Sequence, residues 1–325
     1  MSLSLMASED RHYSVWGEYL TLRRTQGINK NLIYDTTSGT LNACGTCDFG
    51  HCNVRDLIHD FSFEPGYRVG MGYFTPNWTA ELTYFWIQED HAKCSRHDEG
   101  KVFFSLKHPD FSNDFEGADH GKAEYETGLQ NAELNYYRYV TPRKKDYFAV
   151  AWLAGVRYTY LAEEFKLGFR TSEATQLINL NQSPLPVESS HYTIDTHNFM
   201  YGVQTGAVLE WNPWKWISWD LTVKGGVAVD FARQHTHLRD FNDTVKLREY
   251  TKHKLGAPFI GDGILKMTLS PFKWWDVYLG YEVLYFAGVA CAPDQLVKHR
   301  TDDHIIRTRG YAIYYGWFGG FMFNF

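Results

Sequence analysis

The sequence has no run of roughly 18 or more apolar residues, the length a membrane-spanning helix needs, so no transmembrane helix is expected. It also has no clustered basic patch. The formal net charge is −6 and the Lys and Arg residues are scattered, which argues against a nucleic-acid surface. His-Glu-x-x-His, Gly-x-Ser-x-Gly and a phosphate-binding Gly loop are all missing. No catalytic residue, metal or cofactor is therefore expected, and the chain does not read as an enzyme. The opening Met-Ser-Leu-Ser-Leu-Met-Ala is too short for a full signal peptide and lacks its basic start. Residues 1–12 read as an N-terminal tail, either an added sequence or the remnant of an export signal that begins further upstream, and residues 13–325 as one domain.

What is present is alternation. Phe61, Phe63, Tyr67, Val69, Met71 and Tyr73 share one parity, and Ser62, Glu64, Arg68, Gly70 and Gly72 the other. That period of two is a strand with one apolar face. Thr75-Pro76-Asn77 makes a turn, and Trp78, Ala80, Leu82, Tyr84 and Trp86 continue the alternation back. The same unit recurs across Thr141-Pro142, Asn212-Pro213 and Ser270-Pro271. Proline suits such turns and cannot sit inside a paired strand. A run from Tyr13 to Arg23 and a C-terminal run carrying Tyr311, Ile313, Tyr315, Trp317, Phe321, Phe323 and Phe325 bring the strands to ten.

Between the hairpins lie long polar stretches at about 25–60, 89–121, 161–190, 232–257 and 287–308, so short turns alternate with long loops. This is the layout of an all-β, antiparallel, up-and-down transmembrane barrel of a bacterial outer membrane, with short periplasmic turns and long extracellular loops. Segments of about 9–11 residues suffice for a tilted strand to cross the bilayer. Twelve strands is the alternative, because residues 161–180 could extend a strand or add a hairpin. The mean hydropathy of −0.40 fits a soluble protein but also a barrel, in which only every second strand residue meets lipid. Aromatics form 17% of the chain. Their placement is the informative part, since Trp78, Trp211, Trp214, Trp216, Trp219, Trp274 and Trp275 gather near three of the Pro turns, as a girdle at one membrane interface requires. A soluble antiparallel sandwich would share the period of two, but has no reason to collect Trp at one end.

The segment Phe63-Glu64-Pro65-Gly66-Tyr67-Arg68-Val69-Gly70-Met71-Gly72-Tyr73, followed by Trp78-Thr79-Ala80-Glu81-Leu82-Thr83-Tyr84, resembles the Pro-Gly-(Phe/Tyr)-Arg strand and hairpin of the Legionella-type pore-forming outer membrane proteins. This family also has major-outer-membrane-protein-like members in environmental chlamydiae. The motif spans about 25 residues. The resemblance implies a pore-forming or porin-like role and transfers no catalytic residue. The last residues, Phe321, Phe323 and Phe325, resemble the alternating-aromatic signal read by the outer-membrane assembly machinery. Expected partners are outer-membrane lipid, that machinery, small solutes or ions, and a second copy of the chain.

Candidate pore-lining residues are the charged side chains of the inward parity: Glu64, Arg68, Glu81, Glu133, Arg157, Asp220, Lys224, Lys266 and Glu282. They could set ion selectivity, or pair with one another and plug the barrel. Ten strands lie near the narrow end of barrel sizes. Inward glycines, among them Gly70 and Gly280, could widen the lumen or let large side chains fold in. The cysteines Cys44, Cys47, Cys52, Cys94 and Cys291 all fall in the expected outer loops, where an oxidising compartment favours disulfides and an odd count leaves one thiol over. Surface cross-linking through cysteine is what the chlamydial side of the resemblance implies. The leading expectation is a narrow porin-like channel. One alternative is a structural or adhesive surface barrel that works through its cysteine-containing loops. The other is an omptin-like hydrolase at the outer rim, with Asp302, Asp303 and His304, or His235 and His237, at the site.

Overall fold

The computed structural model describes residues 12–26, 31–35, 51–104, 116–141, 147–171, 188–214, 216–240, 244–296 and 305–325. The elements are β1 (His12–Thr25), β2 (Asn31–Asp35), β3 (His51–Asn53), α1 (Val54–Asp60), β4 (Glu64–Phe74), β5 (Trp78–Phe104), β6 (Glu116–Tyr139), β7 (Phe148–Thr171), β8 (Glu188–Trp214), β9 (Ile217–Asp240), β10 (Val245–Gly256), β11 (Phe259–Phe272), β12 (Trp275–Val289) and β13 (Gly310–Asn324). Ten of the strands form a closed antiparallel ring in the order β1, β4, β5, β6, β7, β8, β9, β11, β12, β13. The first and last strands close it along Ser14↔Asn324 to Thr25↔Ile313, and Tyr13 and Phe325 exchange backbone bonds of 3.2 and 2.8 Å at the end of the seam. The fold is thus a ten-stranded up-and-down barrel, and the twelve-strand alternative is set aside. β2, β3 and β10 add to the wall outside this ring. β10 carries on the line of β11 across Ala257-Pro258, both pairing with β9.

The strands are far longer than crossing a membrane requires. β5 and β8 have 27 residues and β6, β7 and β9 have 24. At about 3.3 Å per residue, β7 is about 80 Å long, and a tilt of about 40° leaves a height of about 60 Å against an apolar band of about 25 Å. The expectation of long loops at 89–121, 161–190 and 232–257 is corrected accordingly. Much of each stretch is strand and forms a collar that stands beyond the membrane.

The side-chain pattern places the boundary. On β7 the outward residues below Tyr160 are Phe148, Val150, Trp152, Ala154, Val156 and Tyr158, and the first five are exposed. Above it the apolar residues change parity. Leu161, Phe165, Leu167 and Phe169 are buried inward, and Glu164, Lys166 and Arg170 take the outward positions. β8 does the same at Phe199. Tyr201, Val203, Leu209 and Trp211 face out below it, while Tyr192 and Ile194 face in above it. A wall in lipid needs its apolar side out, and a wall in water needs it in.

Both edges of the outward band are aromatic. At the turn end Trp214 stacks on Trp216 (6.3 Å between centroids) and Trp274 on Trp275 (6.2 Å) and Phe323 (6.5 Å). At the collar end Tyr67 meets Trp86 (5.0 Å), Tyr158 meets Tyr201 (5.0 Å) and Tyr160 meets Phe199 (4.9 Å). Phe321, Phe323 and Phe325 are exposed on the turn-end wall.

Candidate functional site

Inside the band, the inward side chains meet across a narrow lumen. Glu133 on β6 stands at the centre of one group. It pairs with Arg157, and accepts from Lys224 Nζ (2.8 Å), Gln204 (2.9 Å), Asn131 (2.9 Å) and Asn135 (2.9 Å). Asp262 bridges the same two cations, at 2.9 Å from Arg157 and 2.7 Å from Lys224. A second group centres on Arg68, paired with Glu282 and with Glu18 (2.9 Å). Its guanidinium is sandwiched between the rings of Phe85 (4.9 Å) and Phe318 (5.5 Å). Tyr278 donates to Glu18 (3.0 Å), and Lys266 pairs with Asp220 (3.2 Å).

Of the nine candidate lumen residues, Arg68, Glu81, Glu133, Asp220, Lys224, Lys266 and Glu282 line one interior cavity of about 110 Å³, and Arg157 belongs to the Glu133 group. Glu64 stands apart at the start of β4, half-buried and bonded to Ser62. Asp262 and Glu18, which complete the two groups, escaped the sequence reading. Asp262 lies in a Gly-rich stretch, Gly261-Asp262-Gly263, whose alternation is faint, and Glu18 follows Gly17 in the first strand, where the apolar alternation is broken.

The glycines of the inward parity accommodate large side chains. A Cβ on Gly70 would sit 2.2 Å from the Trp16 ring, and one on Gly280 would sit 2.3 Å from the Phe318 ring. Below the ionic layer a second cavity of about 380 Å³ lies at the turn end, lined by His12, Tyr139, Glu210, Ser218, Ser270 and Asn324 among others. Towards the collar, the lumen is filled by an apolar layer that includes Leu20, Phe85, Leu129, Leu161, Met200, Ile260, Leu284 and Phe286, all buried.

The collar is filled as well. α1, in the stretch expected to be loop, turns Val54, Leu57 and Ile58 into a core with Ile33, Phe61, Ala92, Val102, Tyr125, Phe165 and Phe169. Cys52 on β3 and Cys94 on β5 form a disulfide that fastens this lining to the wall. Cys44 and Cys47 lie outside the described residues, as do Asp302, Asp303 and His304.

Cys291, expected as an outer-loop thiol, is free, fully buried and inside the collar. Burial, then the Glu163 carboxylate, pushes its thiol well above the ordinary range, so it is protonated. It sits beside a buried cluster in which Glu163 is ion-paired with Arg24 (2.7 Å) and accepts from Tyr125 (2.8 Å) and the Ala292 N–H (2.8 Å). Asn198 clasps the Ala290 backbone from both sides, at 2.8 and 3.0 Å. The segment after β12, expected as the fifth long loop, therefore starts by folding back into the barrel as a plug, in which Ala292–Gln295 is one turn of 3-10 helix.

His235 and His237 are on the outward face of the collar, away from the lumen. Their neighbour Asp195 is pushed up to about 6, first by burial and then by the Glu164 carboxylate opposite it.

No protein-family model matches the chain, and no curated protein matches it. Among solved structures, the chain is similar to the outer membrane protease OmpT from Escherichia coli (6% identity, 97% of each chain, TM-score 0.47). It is also similar to a TodX variant described as a monoaromatic hydrocarbon channel (9% identity, 98% of this chain and 67% of that one, TM-score 0.32), and to the toluene transporter TodX of P. putida (6% identity, 98% and 90%, TM-score 0.27). None of these reaches a TM-score of 0.5, so the assignment as a membrane-spanning barrel rests on the closed ring and its apolar outer band.

Proposed function

We propose that the protein is a bacterial outer-membrane barrel with a sealed lumen, acting as a structural or adhesive element through its rigid collar at the cell surface. The observation that carries this reading is the mutual pairing of the lumen charges beneath a cluster of buried apolar side chains. Charged side chains select ions when they line an open constriction. Here Arg157, Lys224 and Glu133 each already have two or more partners, and Leu129, Leu161 and Phe286 lie buried in the apolar cluster towards the collar. A collar clasped by a disulfide and filled with its own core is a built surface, whereas a solute entrance would call for open space.

The test is solute uptake by liposomes carrying the refolded protein. Swelling no faster than in protein-free vesicles is expected. Swelling that scales with protein content would overturn the sealed reading.

The second reading is a gated narrow pore, implied by the resemblance of the 63–84 hairpin to Legionella-type pore-formers. The two polar cavities of about 110 and 380 Å³ in line along the axis favour it. It requires the apolar layer and the plug at Ala290–Gln295 to move together. It predicts uptake that appears once Asn198→Ala frees the Ala290 backbone.

A further inference from the structure

His235 and His237 are two residues apart on β9, so their side chains leave the same face of the strand. Their rings are 5.6 Å apart. Asp195 on β8 is directly opposite His235 in the antiparallel register, and Glu164 on β7 is directly opposite Asp195. One donor atom from each of Asp195, His235 and His237 falls within 4.8 Å of the other two. In a tetrahedral zinc site with bonds of about 2.0–2.1 Å, ligand atoms lie about 3.4 Å apart. Asp195, His235 and His237 each have two rotatable side-chain bonds through which that difference can be taken up. The Thr251 hydroxyl on β10 already engages Nδ1 of His235 (2.9 Å), which leaves Nε2 as the remaining donor of that ring. An outer partner of this kind orients a metal-ligating imidazole.

The charge around the site is of the right sign. Glu164 and Asp195 crowd each other, and Lys166 neutralises only part of this pair, at 2.7 Å from Glu164. Arg239 and Glu249 flank His237 on β9 and β10. Two imidazoles with a carboxylate suit zinc and its neighbours among the transition metals, while calcium and magnesium prefer all-oxygen shells.

We infer that Asp195, His235 and His237 bind a divalent transition-metal ion such as Zn²⁺ on the outer wall of the collar, with the fourth position left to water or to Glu164. The three ligands come from adjacent strands of a rigid sheet, so binding asks for little ordering, and the open position leaves room for a ligand from another molecule.

The experiment uses the full-length protein refolded in detergent and stripped with EDTA. It is titrated with Zn²⁺ by calorimetry and with Co²⁺ by visible absorption. The expected result is a saturable equivalent with the absorption of tetrahedral cobalt, abolished in the His235→Ala/His237→Ala double variant and retained in His253→Ala. Thr251→Ala should weaken binding about 10-fold or more, as loss of an orienting partner does. Zn²⁺ should also raise the unfolding temperature of the wild type and not of the double variant. Circular dichroism checks that each variant is folded. Equal binding by wild type and double variant, or no binding by folded wild type, would overturn the assignment.

Discussion

At the scale of single residues, the lumen is held by charges that are largely withdrawn from bulk solvent. Arg157 pairs with Glu133 and Asp262, and its side chain is only 3% exposed. Removing one partner of such a group leaves the others buried and uncompensated, at a cost of about 3–5 kcal/mol. Arg157→Ala is expected to lower the stability of the folded barrel by about that much, measured by urea unfolding in lipid vesicles. Asp90 offers a pH test in the collar. Burial, then the Glu64 carboxylate, raises it to about 6. A carboxyl whose folded value lies above its unfolded one stabilises the fold while protonated. That contribution is complete below about pH 4 and is lost as the pH rises through about 6. Asp90→Asn should therefore raise the thermal midpoint of the collar at pH 8 and leave it nearly unchanged at pH 4.

At the scale of elements, the parity switch along β7 and β8 sets where lipid ends. Val156→Arg on the outward face below Tyr160 should cost about 2–4 kcal/mol, and Ala162→Arg just above it should cost about 0–1 kcal/mol, compared by the same unfolding assay. This switch was present in the sequence. Leu161, Phe165, Leu167 and Phe169 continue the alternation of β7 on the other parity. Polar composition made the stretch look like loop, because in water the outward residues of a strand are as polar as a loop. The hairpins, the ring of ten and the turn-end tryptophans were legible because each depends on period, turn chemistry and lipid contact, all of which are local. The pairing of Cys52 with Cys94, the inward burial of Cys291 and the partnership of Glu133 with Lys224 are contacts between residues distant in sequence, and no local pattern encodes them. The Cys52–Cys94 bridge closes a separation of 42 residues. Its loss in Cys52→Ser should cost the collar about 2–4 kcal/mol. The expected readout is faster protease cleavage around α1 while the membrane-embedded strands remain protected.

At the scale of the whole molecule, ten strands enclose little more room than side chains can fill, and this chain fills it in layers: polar at the turn end, ionic in the middle, apolar above, with a plugged collar beyond. Each layer alone would narrow a channel, and together they are the basis of the sealed reading proposed above. The most direct test is single-channel recording of the refolded protein in a planar lipid bilayer. A silent bilayer, with folded protein confirmed in the same membranes, is the predicted result. Reproducible conductance steps whose ion preference shifts on Lys224→Glu would contradict the sealed lumen and place that residue in an open path.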